Sequence, residues 1–122
     1  MHYADWSYDE GHDYFTRHIE AETSLCLVAE ADSGLVGYLV GYTKARNSLR
    51  PIEMAVLESM FVHHDSRSGG VGEQLVRAFI GWCDGHHVVR VSVSAYVANE
   101  GAVRFYERLG FVRRLLTLEC PV

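Results

Sequence analysis

Cysteine is scarce in this chain, and no two cysteines are close together. Cys26, Cys83 and Cys120 are odd in number and form no Cys-x-x-Cys pair, so the sequence predicts neither a disulfide framework nor a zinc site. Each is expected to be a buried, reduced thiol. The densest histidine cluster, residues 63–65, has no recurring ligand spacing, and we expect no metal there.

Long apolar runs are absent as well. No stretch approaches the roughly 20 apolar residues that span a bilayer, and residues 1–12 lack the basic leader and apolar core of a signal peptide. Pro occurs only twice, and no repeat interrupts the chain. With 122 residues, the sequence fits a single domain over 1–122. We expect it to be soluble and cytoplasmic, with no membrane partner.

Basic residues are rare near the N terminus. Residues 1–32 hold eight acids against one base, a charge of −7 in a chain of net charge −5, so the remainder carries +2. The mildly basic remainder suits a polyanionic ligand and the acidic end suits a cationic one, although a solvated helix face explains the acids equally well. No basic stripe interleaved with aromatic residues is present, which argues against nucleic acid as a partner.

Hydrophobic periodicity predicts the element order α-β-β-β-α-β-α-β. The capping box Ser7-x-x-Glu10 predicts a first helix over 8–22. The third strand is long enough to contain a bulge, and the central strand-helix-strand unit should be right-handed. Strands are predicted over 25–30, 35–43, 52–62, 88–94 and 111–119, and later helices over 71–84 and, capped by Asn99, to 109.

A glycine-rich segment, Arg67-Ser-Gly-Gly-Val-Gly72, lies between a predicted strand and a predicted helix. Backbone N–H groups and the positive end of a helix can bind phosphate oxygens in such a loop, although a flexible connection is an equally good interpretation of the glycines alone. It contains no Gly-Lys-Ser/Thr, and three strands precede it, so nucleotide-triphosphate and dinucleotide loops are both excluded.

Two motifs in this sequence resemble the GNAT acetyltransferase superfamily. Arg67-x-x-Gly70-x-Gly72 is similar to the pyrophosphate loop of that family, and it follows Leu57-Glu-Ser-Met-Phe-Val62, where the family has its fourth strand. Asn99-x-x-Ala102-x-x-Phe105-Tyr106-Glu-x-x-Gly110-Phe111 resembles the segment from the end of the family's fifth strand through its fourth helix. The resemblance extends from about Leu25 onwards. Two departures are His64, where the family commonly has proline, and Ser68, where it has glycine.

The resemblance implies an α+β fold with a mixed, mainly antiparallel central sheet flanked by helices. Because only one helix fits before Leu25, the family's first strand and first helix are expected to be missing, through truncation or replacement by a partner. The implied activity is transfer of an acetyl or short acyl group from acetyl-CoA to a primary amine by direct attack, without a covalent enzyme intermediate. A module that binds acyl-CoA without turnover, or a purely structural domain, would be the alternatives.

The resemblance also implies which residues hold the donor. In the family the two central strands splay apart, and the pantetheine arm pairs with one of them. Tyr106 matches the tyrosine that protonates the leaving thiolate, although a tyrosine on an apolar helix face usually fills core. Asn99 matches a pantetheine contact and can also cap its helix. The implied donor-binding residues are Met60, Phe61, Val62, Arg67, Ser68, Gly69, Gly70, Val71, Gly72, Asn99 and Tyr106.

Glu58 is the candidate general base. Counting alternately along an unbroken strand, it shares a face with Met54, Val56, Met60 and Val62, and a carboxyl group among apolar neighbours is expected to have a raised pKa. A bulge would change that face, and Glu58 would then only attract a cationic amine at the rim of the site.

The acceptor is expected to be a cationic amine, carried by a small molecule or a protein, because the resemblance implies that the acidic first helix borders the acceptor pocket. A homodimer is also expected, since a missing first strand would leave a sheet edge open for pairing.

Overall fold

The computed structural model of the chain describes residues 2–8, 14–20, 24–45 and 52–122, the first two ranges as backbone only. Six strands form one sheet in the order β1-β2-β3-β4-β5-β6. All neighbours are antiparallel except β5 and β6, which are parallel. The strands are β1 (His2–Tyr8), β2 (Tyr14–Glu20), β3 (Ser24–Ala31), β4 (Gly34–Lys44), β5 (Met54–Val62) and β6 (Arg90–Val93).

Two α-helices and a short 3-10 helix follow β5. The 3-10 helix spans His64–Gly69, α1 spans Val71–Gly85 and α2 spans Glu100–Arg108. The helices predicted over 71–84 and after Asn99 are therefore confirmed, as are the strands over 25–30, 35–43 and 52–62. Among the described helices, none is long and apolar enough to cross a membrane.

The core lies between α1 and one face of the sheet. Alternate residues of β3, β4 and β5 point to that face, and α1 covers them with residues spaced three or four apart, as an amphipathic helix requires. The fully buried side chains include Leu25, Leu27 and Leu39 from the sheet and Val71, Leu75, Val76, Phe79 and Cys83 from α1.

Gly41 allows this close packing of helix on sheet. A Cβ atom at Gly41 would lie 2.3 Å from Phe79 Cζ and 2.9 Å from the Val56 carbonyl oxygen, so no side chain fits there. The ring of Phe79 instead lies directly over the backbone of β4.

The predicted first helix over 8–22 is wrong. Residues 14–20 form β2, which pairs with β3 from Phe15 opposite Glu30 to Glu20 opposite Leu25. Phe, Thr, Ile and Tyr favour strands, and the exposed edge of β3 supplies the backbone partners that make a strand favourable there. The sheet edge that was expected to be open is consequently occupied by β2 and β1. Residues 9–13 and 21–23 lie outside the described part of the chain.

The predicted last strand over 111–119 is also wrong. Residues from Phe111 onwards adopt no regular secondary structure, and every residue from Val112 to Val122 is exposed. The composition favours a strand, but no neighbouring strand pairs with the segment, and an extended chain needs such a partner for its backbone groups.

The three cysteines differ in environment. Only Cys83 is the buried thiol that was expected, and its burial raises its pKa to about 11. Cys26 is partly buried and Cys120 is exposed, so the expectation of burial is wrong for these two.

Replacement of Gly41 should show how tightly α1 packs on the sheet. We expect Gly41→Ala to lower the free energy of unfolding by about 1–3 kcal/mol, because the added methyl group overlaps the Phe79 ring. The control is Gly81→Ala, where a Cβ meets nothing within 4 Å and helix propensity favours alanine by up to about 1 kcal/mol. The free energy of unfolding of both variants is measured by urea denaturation. Equal stability of Gly41→Ala and the parent would contradict the close packing of Phe79 on Gly41.

Candidate functional site

The parallel pair β5–β6 separates after four residues. Met54 to Leu57 pair with Arg90 to Val93, and β6 then ends, while β5 continues to Val62 alongside β4. The edge of β5 that faces away from β4 therefore has no strand partner over residues 58–62 in the described structure. Backbone N–H and C=O groups at an unpaired edge can pair with an extended ligand.

A β-bulge lies where the two strands separate. Val40 pairs with Ser59 and Gly41 pairs with Leu57, so Glu58 is the extra residue of β5. The bulge predicted for this strand is thus confirmed. A bulge bends its strand and increases the local twist, which is consistent with β5 leaving the direction of β6 at this point.

The bulge corrects the predicted face of Glu58. Met60 and Val62 lie opposite Leu39 and Gly37 on the side of α1, whereas Met54 and Val56 lie opposite Lys44 and Tyr42 on the other side. Glu58 is exposed rather than enclosed by apolar side chains. The apolar enclosure on which its prediction as general base depended is therefore absent, and its position fits the alternative of a carboxylate at the rim.

The glycine loop begins directly after β5. The Arg67 Nε donates to the Val62 carbonyl oxygen at 3.1 Å, which fixes the loop to the last residue of the strand. His63 starts the 3-10 helix, its ring nitrogen Nδ1 accepting from the Asp65 N–H at 3.2 Å. Arg67 is exposed, and the bond from its Nε positions the guanidinium group at the end of β5.

The loop ends at Gly70, which has φ = 81°. Glycine adopts this left-handed conformation without strain. Ser68, which stands at a position where glycine was expected, does not have a positive φ, because His87 is the one non-glycine residue with positive φ in the described structure. Beyond Ser68 and Gly69, which end the 3-10 helix, the chain turns at Gly70 into α1.

The N terminus of α1 can hold an anion. Its first i to i−4 hydrogen bond runs from the Gln74 N–H to Gly70 O at 3.1 Å, so the N–H groups of Val71, Gly72 and Glu73 precede it, and no side chain caps them at Gly70. A Cβ at Gly70 would meet nothing within 4 Å. This open space beside a positive helix end fits a phosphate group.

Three elements meet at Gly72. A Cβ at this buried glycine would lie 3.3 Å from Phe105 Cζ and 3.6 Å from Val62 Cγ2. The start of α1, the end of β5 and the middle of α2 are therefore in contact through a residue without a side chain. The sequence motif contained Phe105 but gave it no role; its contact with Gly72 shows that it docks α2 onto the loop.

Tyr106 lies next to this meeting point. Its ring packs edge-on against Phe105, with centroids 5.0 Å apart, and against Phe111, with centroids 5.4 Å apart. Partial burial raises the pKa of Tyr106 above its ordinary value, because a phenolate loses hydration there. Its hydroxyl is therefore fully protonated at neutral pH and can act as a proton donor.

Asn99 caps α2 as predicted. Its side-chain oxygen accepts from the Ala102 N–H at 3.2 Å, while the residue itself is exposed. Six residues separate it from Phe105, about 9 Å along the helix axis, so the structure does not bring Asn99 to the contact at Gly72. Its amide N–H₂ group is not used by the cap.

An aromatic pair on the opposite sheet face was missed. Tyr38 stacks on Phe61, with centroids 6.0 Å apart, and its hydroxyl lies 3.5 Å from Ser59 Oγ. Phe61 is 46% exposed, so its side chain points away from α1 while its backbone lies on the open edge of β5. The register that places Tyr38 opposite Phe61 depends on the bulge, which the sequence could not locate.

Ionisation of Tyr106 can be followed directly. We expect the difference in phenolate absorbance between the parent and Tyr106→Phe to titrate above pH 10, since burial raises the pKa. The same shift leaves the free energy of unfolding unaffected below pH 10 and lowers it as pH rises further, because the unfolded state loses the proton first. A difference spectrum that titrates below pH 10 would contradict the buried position of this ring.

The sequence of this chain is similar to those of known proteins. Residues 1–111 match the profile of the acetyltransferase (GNAT) family. An uncharacterized N-acetyltransferase of Methanocaldococcus jannaschii is 29% identical over 100 residues, which cover 80% of this chain. They cover 43% of that relative, so the chain spans less than half of its length.

Solved structures have the same fold. The BH1408 protein of Bacillus halodurans superposes with a TM-score of 0.75 at 25% identity, over 84% of this chain and 69% of that one. An aminoglycoside acetyltransferase from an uncultured soil sample has a TM-score of 0.70 at 17% identity, over 84% and 68% of the two chains. A ribosomal-protein-alanine N-acetyltransferase of Brucella melitensis has a TM-score of 0.66 at 18% identity, over 84% and 72%. With the family match over most of the sequence, these results show that the chain belongs to the GNAT acetyltransferase family.

Proposed function

We propose that this protein transfers an acetyl or short acyl group from acetyl-CoA to a primary amine. The observation that carries the proposal is the contact at Gly72, where the open edge of β5 meets an uncapped helix N terminus. One extended ligand that carries phosphates at one end could use both features. Membership of the GNAT family supports the same donor, because the family generally uses acetyl-CoA.

The donor-binding residues act mainly through their backbone. We assign the diphosphate to the N–H groups of Ser68 to Gly72 at the start of α1, with Arg67 positioning the loop. The peptide groups of Met60, Phe61 and Val62 lie on the unpaired edge of β5 and would pair with the amides of the pantetheine arm. Asn99 would add a contact through its free amide N–H₂. The donor supplies a thioester, whose carbonyl carbon accepts the amine.

Tyr106 is the proposed proton donor to the leaving group. As the new C–N bond forms and the C–S bond breaks, the thiolate needs a proton, and the neutral Tyr106 hydroxyl can donate it. The proton that the amine loses passes to water, and the Tyr106 phenolate takes up a proton from water, so that the protons balance over one turnover. The Cys83 thiol is a poor intermediate carrier, because its burial raises its pKa to about 11. Direct attack by the amine is the simpler route.

A cationic amine is the proposed acceptor. The exposed Glu58 at the bulge favours a positive group near the opening. The structural relatives differ in the acceptors that their names give, one an aminoglycoside and another an alanine of a ribosomal protein. The fold alone therefore does not select between a small amine and a protein amine.

A module that binds acyl-CoA without turnover is the second candidate. The exposure of Glu58 favours it, since no enclosed base faces the opening among the described residues of β5. Both candidates share donor binding, and only turnover separates them.

Donor binding is tested by thermal stability. We expect millimolar acetyl-CoA to raise Tm, by roughly 10 °C if it exceeds its Kd about a hundredfold, because a ligand of the native state stabilises it by mass action. NADH and ATP should give smaller shifts. Gly70→Val should abolish the shift, since its side chain fills the open space beside the helix N terminus.

The matched control for this variant is Gly34→Val. Gly34 also has a positive φ, at 115°, and also meets nothing within 4 Å, but it lies in the β3–β4 turn. It should suffer the same backbone strain and keep the full shift with acetyl-CoA. Loss of the shift in both variants, or no shift in the parent, would count against donor binding at the loop.

Turnover is tested by thiol release with a panel of cationic amines. Tyr106→Phe should keep the acetyl-CoA shift in Tm and lower kcat about a hundredfold, as expected for loss of a general acid. Glu58→Gln should instead raise the KM of the amine and leave kcat nearly unchanged, because it removes only attraction. An equal loss of donor binding in Tyr106→Phe would show a packing role, and no thiol release by the parent would favour the binding module.

A further inference from the structure

Three pairs of side chains lie on the sheet face that α1 does not cover. The pairs join neighbouring residues of β4 and β5, and they are Tyr38 with Phe61, Val40 with Ser59, and Tyr42 with Val56. Leu39 and Met60 separate the first two pairs and pack in the core beneath α1, so alternation along the strands sends the three pairs to the opposite face. None of these side chains is fully buried.

The middle pair is the lowest part of this surface. Val40 and Ser59 have short side chains, whereas a larger ring stands on either side of them along β4, Tyr38 before and Tyr42 after. Tyr38 and Tyr42 are four residues apart, about 13 Å along a strand. The surface over Val40 and Ser59, between these two rings, is here called the trough. This spacing leaves room for one flat group between the rings.

One wall of the trough is aromatic and exposed. Tyr38 stacks on Phe61 with ring centroids 6.0 Å apart and planes inclined by 28°, so the two rings form a continuous surface. They are 38% and 46% exposed, which leaves apolar ring surface in contact with water. The Tyr38 hydroxyl lies 3.5 Å from Ser59 Oγ, at the floor of the trough. Aromatic walls of this kind attract another aromatic ring through stacked or edge-on contacts.

The trough opens towards the candidate site at Glu58. This residue precedes Ser59 at the bulge, is exposed, and stands at the start of the unpaired edge over residues 58–62. Its carboxylate attracts an ammonium group. Helix α1, whose N terminus is the proposed phosphate site, covers the other face of the sheet. A molecule in the trough therefore reaches the open edge without competing with the phosphates of the donor.

We propose that the acceptor is an arylalkylamine, in which a short aliphatic chain joins an aromatic ring to a primary amine. Its ring lies in the trough between Tyr38 and Tyr42, and its nitrogen lies at the β5 edge beside Glu58. The inference rests on the proposed acetyl transfer, because the nitrogen must reach the thioester at that edge. The aromatic walls then hold the part of the acceptor that does not react.

Charges on the same face disfavour a polyamine. Lys44 and Arg90 both lie opposite Met54 and are exposed, so two cations occupy the end of this face beyond Tyr42. A second ammonium group that reached past Tyr42 would meet like charges. An uncharged ring meets no such repulsion. The face therefore suits an acceptor that combines one cation with an apolar body.

Thiol release with matched amines tests the acceptor class. Acetyl-CoA is offered with phenethylamine, hexylamine, spermidine or a lysine-containing peptide. We expect kcat/KM to be about tenfold higher for phenethylamine than for hexylamine, because only phenethylamine places a ring between the aromatic walls. Equal values for these two amines, or a preference for spermidine or the peptide, would overturn the proposal.

Two substitutions at one position separate a ring contact from a general effect. Tyr38→Leu should raise the KM of phenethylamine about tenfold, and it should leave kcat, the kinetics of hexylamine and the acetyl-CoA shift in Tm nearly unchanged. The matched control is Tyr38→Phe, which keeps the ring and should keep the KM of the parent. An equal rise in KM for hexylamine, or the same loss in Tyr38→Phe, would show that the Tyr38 ring does not contact the acceptor.

Binding measured without turnover distinguishes failure of this inference from failure of acetyl transfer. Saturation-transfer NMR detects contact between the protein and the ring protons of phenethylamine even when no thiol is released. We expect the signal with the parent and with Tyr38→Phe, and its loss with Tyr38→Leu. That pattern without thiol release would count against the transferase function and support the ring site. No signal with the parent would overturn the trough as a binding site, even if other amines are acetylated.

Discussion

The short parallel pairing of β5 with β6 is the constraint on which the candidate site depends. Four residue pairs hold the strands together, and the bulge at Glu58 follows immediately. Had the pairing continued, the backbone groups of residues 58–62 would be used within the sheet. Because the pairing stops, β5 has unpaired backbone groups over residues 58–62, although it lies between two other strands of the sheet. Backbone groups in the middle of a sheet are normally paired with a neighbouring strand.

Glycines determine how the helices approach this opening. Gly41 lets Phe79 lie on β4, and Gly72 lets Phe105 and Val62 meet at the start of α1. In both places the absence of a side chain sets the distance between two elements. The position of Tyr106 follows from the second contact, since its ring packs on Phe105. The missing side chain of Gly72 thus helps to determine where the Tyr106 ring lies.

The sequence was sufficient for features whose physics is local or whose motif is specific. Helix α1 was recognisable from its apolar spacing, Asn99 from its capping chemistry, and the GNAT resemblance from two ordered motifs. Features that depend on pairing with residues distant in the sequence could not be predicted. The helix pattern over 8–22 gave way to pairing with β3, and residues 111–119 have strand composition without a neighbour. The side of β5 on which Glu58 lies depends on one extra residue, which alternation cannot reveal.

The bond from Arg67 Nε to the Val62 carbonyl oxygen has a consequence for ligand length. It joins the last residue of the open strand to the loop at the start of α1, so the two ends of the opening cannot move apart independently. The distance between an anion at the helix and a peptide-like group at the strand is then fixed by the protein. The proposed site would therefore discriminate between ligands by length: a ligand with both groups at the right spacing would gain both contacts, and a shorter or longer one would lose one of them.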